Sequence, residues 1–120
     1  MIPLSPQNDL GYTGLGRALA LQREYSAAEV QFKQAIALKS NTNAHFFWGQ
    51  MLAAKGDHEG AIKKYEEALT LDPKWGEPNA AWGESLRAQG NADAAKEKFA
   101  KALELEPKQP DFQKYNLVSK

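Results

Sequence analysis

Thr42–Pro73, reading TNAHFFWGQMLAAKGDHEGAIKKYEEALTLDP, decides the fold. It contains one run with apolar residues at helical spacing, a Lys55-Gly56-Asp57 break, a second such run, and a proline stop at Pro73. Apolar residues recurring every three or four positions mark amphipathic helices. Glycine favours the left-handed turn that ends a helix, and proline cannot continue one. The stretch is therefore a pair of helices joined by a tight turn. The following segment repeats it. Trp48 recurs as Trp82, Gly49 as Gly83, Leu52 as Leu86, Gly56 as Gly90, Ala61 as Ala95, Tyr65 as Phe99, Ala68 as Ala102, Leu71 as Leu105 and Pro73 as Pro107, each 34 residues on. A fixed period of this length marks a solenoid, because one helical pair cannot bury its apolar faces alone and must stack on a neighbour.

Shifted by 33 residues, the preceding segment is a degraded copy of the same unit. Leu15 falls on Trp48, Gly16 on Gly49, Leu19 on Leu52, Ala28 on Ala61, Phe32 on Tyr65, Ala35 on Ala68 and Leu38 on Leu71, while Ser40 stands where the later units have proline. The chain thus divides into an extended leader at 1–8, three units at about 9–41, 42–75 and 76–109, and a capping helix with tail at 110–120. In the leader, Pro3 and Pro6 push Ile2 and Ser5 towards extended backbone. Asn8 or Asp9 is expected to cap a helix running to about Gln22, despite Gly11, Gly14 and Gly16. Ser26 with Glu29 reads as a capping box for a second helix ending near Lys39, with Ala28, Phe32, Ala35, Ile36 and Leu38 on its buried stripe. Thr42 or Asn41 caps a helix to about Lys55, and the next runs from His58 to Leu71. Pro78 suits the first turn of a helix to about Gln89. Gly90-Asn91 turns the chain, and Ala92 to Glu106 forms the last long helix. After a break at Pro107–Pro110, Phe112, Tyr115 and Val118 recur at three-residue spacing in a short helix over 111–118, placed to cover the end of the stack.

Composition narrows the function. At 120 residues the chain can form one continuous core. Fifteen basic and fifteen acidic residues cancel, so no strong field draws nucleic acid or an anionic membrane, and neither is expected as a partner. There is no cysteine, hence no disulfide or thiolate chemistry. No run of 18 apolar residues occurs, so no membrane insertion is expected. Met1–Pro6 lacks the basic and apolar regions of a signal peptide. The cytoplasm is the default compartment, alongside that of a domain from an exported or membrane-associated protein. Gly11-Tyr12-Thr13-Gly14-Leu15-Gly16 does not have phosphate-loop spacing. The two histidines are not at metal-binding spacing. No nucleophile lies near a base, and the carboxylates, such as Glu66, Glu67, Asp93 and Glu97, fall on charged helix faces. An enzyme is not expected, and neither is any cofactor or metal.

The pattern resembles the tetratricopeptide repeat family. That family has a large residue then glycine in the first helix of a unit, alanine, aromatic and alanine in the second, and a closing proline. Trp48-Gly49, Ala61, Tyr65, Ala68 and Pro73 match, as do Trp82-Gly83, Ala95, Phe99, Ala102 and Pro107. The first unit matches through Tyr12, Leu15-Gly16, Ala28, Phe32 and Ala35. The resemblance covers about Asp9 to Pro107. His45 and Asn79 depart from it, standing where the family often has a large residue. The resemblance implies an all-α fold, a right-handed α-solenoid of three antiparallel helix pairs with a short C-terminal capping helix. It also implies a concave groove lined by the first helix of each unit.

Gly16, Gly49 and Gly83 sit inside helices, where glycine costs roughly 1 kcal/mol against alanine. Close helix approach is expected there, with Ala28, Ala61 and Ala95 opposite. Phe32, Tyr65 and Phe99 are expected to fill the space between units. A helical wheel of the second unit puts His45, Trp48, Gly49 and Leu52 on the packing stripe and Asn43, Phe46, Phe47, Gln50 and Ala54 elsewhere. Adjacent phenylalanines cannot both share the stripe held by Trp48, so at least one of Phe46 and Phe47 is expected to meet solvent or a ligand. Arg17, Asn43, Phe46, Phe47, Gln50, Glu84 and Arg87 are the candidate peptide-binding residues. Some members of the family clamp the carboxylate end of chaperone tails. At the matching positions Thr13, Arg17, Phe47, Glu77 and Ala81, only Arg17 could hold an anion, so no such clamp is expected here. The function expected is a scaffold or adaptor binding a partner peptide or protein segment in the groove. The alternative is a self-associating assembly unit that uses the repeat ends or the leader.

Overall fold

The computed structural model describes residues 9–38 and 42–119. Six α-helices follow in chain order: α1 (Asp9–Leu21), α2 (Tyr25–Leu38), α3 (Thr42–Ala54), α4 (His58–Leu71), α5 (Gly76–Ala88) and α6 (Ala92–Leu105). A 3-10 segment, Pro110–Ser119, ends the described chain. No strand occurs among the described residues, and the fold is an all-α helical repeat. The helices of each pair, α1 with α2, α3 with α4 and α5 with α6, pack most extensively on each other; α3 also packs on α1 and α2, and α5 on α4 and α3. The result is an elongated stack of 50 × 26 × 25 Å.

Three equivalent turns make the pairs. Gly56 and Gly90 sit in the left-handed region at φ 92° and 84°, and Arg23 takes the same place at φ 66°. In each turn the next amide reaches back to the first helix. Glu24 N–H donates to Leu19 O at 2.9 Å, Asp57 N–H to Leu52 O at 2.8 Å and Asn91 N–H to Leu86 O at 2.9 Å. This is the glycine-ended helix motif in which a left-handed residue lets the chain satisfy the last carbonyls. Asp57 and Asn91 then cap the second helices, accepting from the amides of Gly60 at 3.0 Å and Ala94 at 3.3 Å. The same geometry corrects the start expected for α2. The turn at Arg23 makes Tyr25 the first helical residue, so Ser26 lies inside the helix and the Ser26–Glu29 capping box does not form. Glu29 instead accepts from Trp48 Nε1 at 3.3 Å.

Arginine is strained at φ 66° because its Cβ crowds the following carbonyl, at roughly 1 kcal/mol. Arg23→Gly is therefore expected to stabilise the chain by about 1 kcal/mol, raising the thermal midpoint by several degrees. A lowered midpoint would mean that the Arg23 side chain contributes more than its backbone costs.

Within each pair the small residues permit close contact. A Cβ on Gly16 would lie 2.8 Å from Phe32 Cε1. One on Gly49 would lie 2.5 Å from Tyr65 Cε1, and one on Gly83 2.5 Å from Phe99 Cε1. The three rings therefore press on the glycines of their own pairs, rather than serving only as filler between units. Phe32 also reaches the next unit, stacking with Trp48 at 6.3 Å between ring centres and 17° between planes. Lys64 Nζ sits 3.7 Å from the centre of the Trp48 ring, and Lys98 repeats this over Trp82 at 3.6 Å. Leu15, the equivalent of Trp48, is 38 % exposed where Trp48 is buried. Trp48 is covered by the preceding pair, and no described pair lies before α1.

At the other end the last pair is covered. Phe112 is buried and packs with Ala80, Ala102 and Leu103. A Cβ on Gly76 would come within 2.9 Å of its ring. Glu106 accepts from Gly76 N–H at 2.6 Å, placing a carboxylate at the N-terminus of α5, where exposed amides favour negative charge. The three-residue spacing noted in the sequence suits a 3-10 turn, in which side chains at i and i+3 eclipse. The side chains of Tyr115 and Val118, and the leader at 1–8, lie outside what is described.

Candidate functional site

Helical periodicity puts Phe46, Gln50, Ala53 and Ala54 along one side of α3 and Glu77, Ala80, Ala81 and Glu84 along one side of α5. These faces border an open cavity of about 460 Å³, into which Tyr65 also reaches and which Asp111 and Phe112 close at one end. The floor is apolar: a phenylalanine edge, alanines and the Phe112 ring. The rim is acidic, with Glu77, Glu84 and Asp111. Burial pushes the Tyr65 hydroxyl well above its ordinary range, so it stays protonated at the floor.

The seven sequence candidates divide among three places. Phe46, Gln50 and Glu84 line the cavity. Phe46 nevertheless corrects the helical wheel, because it is a core residue at 5 % exposure. Its ring centre lies 5.4 Å from Phe47, 5.9 Å from Tyr65 and 4.8 Å from Trp75. Trp75 comes from the linker after α4, which a wheel of α3 cannot represent. Phe47 and Arg17 meet each other outside this cavity. Phe47 is half-buried, and the Arg17 guanidinium sits 4.6 Å from its ring centre. Asn43 and Arg87 are exposed and outside the lining. Arg87 Nη2 lies 2.8 Å from Glu84 Oε1, and its guanidinium is 5.5 Å from the centre of the Phe99 ring. Sequence reasoning missed Ala53, Tyr65, Asp111 and Phe112 as lining residues. Phe112 was legible as an apolar cap, but not as a wall of this cavity.

His45, on α3, carries a pH effect. Its Nδ1 lies 3.1 Å from Glu67 Oε1, within ion-pair reach but outside hydrogen-bond geometry. Burial lowers its pKa below 6.5 and outweighs the raising effect of Glu67, while Lys64 lowers it further. Below pH 6.5 the unfolded chain therefore takes up this proton first. The His45 contribution is present at higher pH and is lost as pH falls from about 6.5 through the folded-state value. His45→Gln is expected to shrink the loss of thermal midpoint between about pH 7.5 and 5.5; an unchanged loss would remove His45 from the account.

Two sequence models, both described as tetratricopeptide repeat, match residues 42–75 and 82–109, together more than half of the chain. The chain belongs to the tetratricopeptide repeat family. Tetratricopeptide repeats generally form a non-catalytic protein-interaction fold. Among curated proteins, the chloroplastic PsbB mRNA maturation factor Mbb1 of Chlamydomonas reinhardtii is 30 % identical over 73 residues. That match covers 59 % of this chain and 11 % of Mbb1, so this chain matches only about a tenth of that relative's length. Among solved structures, MamA aligns at a TM-score of 0.79 and 30 % identity, over 88 % of this chain and 62 % of MamA. A thermophilic tetratricopeptide repeat protein of Thermus thermophilus aligns at 0.82 and 27 %, over 93 % of this chain and 64 % of that one. The Yersinia enterocolitica type III secretion translocator chaperone SycD aligns at 0.82 and 21 %, over 96 % and 87 %, and shares the fold. No described helix of this repeat chain is long and apolar enough to cross a membrane.

Proposed function

We propose that this tetratricopeptide repeat chain is a scaffold or adaptor that holds a peptide segment of a partner protein between α3, α5 and the 3-10 segment. The observation that carries this is the open cavity of about 460 Å³ with an apolar floor and a charged rim. A recess of that form buries one or two side chains of an extended segment, while polar groups at its edge fix direction. SycD, which shares the fold, has been seen in complex with a peptide of the translocator YopD. In this chain Gln50 and Glu84 serve as rim contacts and Phe46 presents an edge from the core. Arg17, Asn43, Phe47 and Arg87, which do not line the recess, serve as further contacts for the parts of the segment that lie outside it. The cytoplasm remains the proposed compartment.

The test is Gln50→Trp. Gln50 is exposed on α3, so an indole there fills the recess without entering the core. Capture of a bound partner is expected to fall at least about tenfold, with helical circular dichroism unchanged. Full capture by the folded variant would refute the site.

A second reading, self-association through the repeat ends, has its own support in Leu15 and Val30, 38 % and 51 % exposed on the first pair. Light scattering separates the readings: a monomer at high concentration removes the second.

A further inference from the structure

We propose that the recess selects a cationic apolar segment, in which one or two aliphatic or aromatic side chains lie next to lysine or arginine. The inference rests on the groove-binding function proposed above and goes further, because it assigns a sign to the ligand. Three carboxylates, Glu77, Glu84 and Asp111, line the cavity, and no basic residue does. Among the described residues Glu77 and Asp111 have no cation within 4.0 Å. Glu84 is held by Arg87 at 2.8 Å and Lys114 at 3.8 Å. Both partners are well exposed and Glu84 is partly so, and such pairs are weak enough for an incoming cation to replace one.

Glu77 and Asp111 each sit in the first turn of their helical segments, where a carboxylate favours the exposed amides. That role accounts for their sign but not for their convergence. They come from separate segments, 34 residues apart in sequence, and face one cavity whose floor is Phe46, Ala80 and Phe112. An apolar side chain of the ligand would occupy that floor, and an adjacent ammonium or guanidinium would reach the rim. An anionic segment would meet the unpaired carboxylates of Glu77 and Asp111 with no cation in the lining, so the arrangement rejects as well as selects.

The experiment is selection from a random displayed-peptide library on the immobilised full chain, run in parallel on the charge-reversed E77K/D111K variant. A neutral variant, E77Q/D111N, is the control, and helical circular dichroism verifies that all three fold. The wild-type chain is expected to enrich peptides in which an apolar residue neighbours lysine or arginine. Their binding should weaken about tenfold between roughly 50 and 500 mM NaCl. The neutral variant should lose most of the preference, and the reversed variant should favour aspartate or glutamate. Neutral or acidic peptides enriched by the wild-type chain, or a preference untouched by charge reversal, would overturn the sign while leaving groove binding in place. No enrichment by any form would overturn both. Concentration-dependent dimerisation abolished by the same substitutions would assign the recess to a second copy, and would also overturn the proposal.

Discussion

Phe112→Ala is expected to lower stability by about 3 kcal/mol and the thermal midpoint by roughly 10 °C. The ring is 3 % exposed and packs with Ala80, Ala102 and Leu103, against the first turn of α5 at Gly76. Truncation removes the apolar contacts and leaves a hollow that helices held by their own hydrogen bonds cannot easily close. In a repeat array each unit depends mainly on its neighbours, and a terminal cap keeps the last unit folded. The loss should therefore be uneven. Amide exchange is expected to quicken in α5 and α6 while α3 and α4 keep more of their protection. Uniform acceleration across all six helices would mean that the array unfolds as one unit; no acceleration would mean that the 3-10 segment is not a cap.

The same ring explains part of what the sequence left hidden. The helical pairs were legible because the pattern is written more than once. Gly56-Asp57 and Gly90-Asn91 mark two turns, and the structure shows the same backbone bonds at both. The first turn was harder, because Arg23 occupies the left-handed position that glycine holds elsewhere; without the glycine, Ser26 looked like a helix start. A wheel of α3 also placed Phe46 off the packing stripe, since only neighbours on one helix enter such a projection. The ring is buried by Trp75 and Tyr65, one from a linker and one from α4. The cavity was partly legible, in Gln50 and Glu84. Its end wall was not, because the position of Asp111 and Phe112 depends on how the 3-10 segment folds back onto α6, with the Phe112 ring reaching α5.

Gly49→Ala and Gly14→Ala are expected to change stability in opposite directions. Both glycines lie within helices, where alanine is favoured by about 1 kcal/mol through its smaller loss of backbone freedom. At Gly14 a Cβ meets nothing within 4 Å, so that gain should be realised. At Gly49 a Cβ would lie 2.5 Å from Tyr65 Cε1 and 3.1 Å from the Ala61 carbonyl oxygen. The ring has little room to yield: it is 1 % exposed and lies 5.9 Å centre to centre from the buried Phe46. Relief would require α3 and α4 to separate, and forced overpacking of this kind costs about 1–3 kcal/mol. The net expectation is a loss of roughly 1–2 kcal/mol, read as a lower urea midpoint with an unchanged slope. A double-mutant cycle locates the cause. If the clash is with the ring, the penalty of Gly49→Ala should shrink in a Tyr65→Leu background, giving a coupling energy between the two positions. An equal penalty in both backgrounds would place the obstruction at the Ala61 carbonyl, and no penalty in either would show that the pair can separate freely.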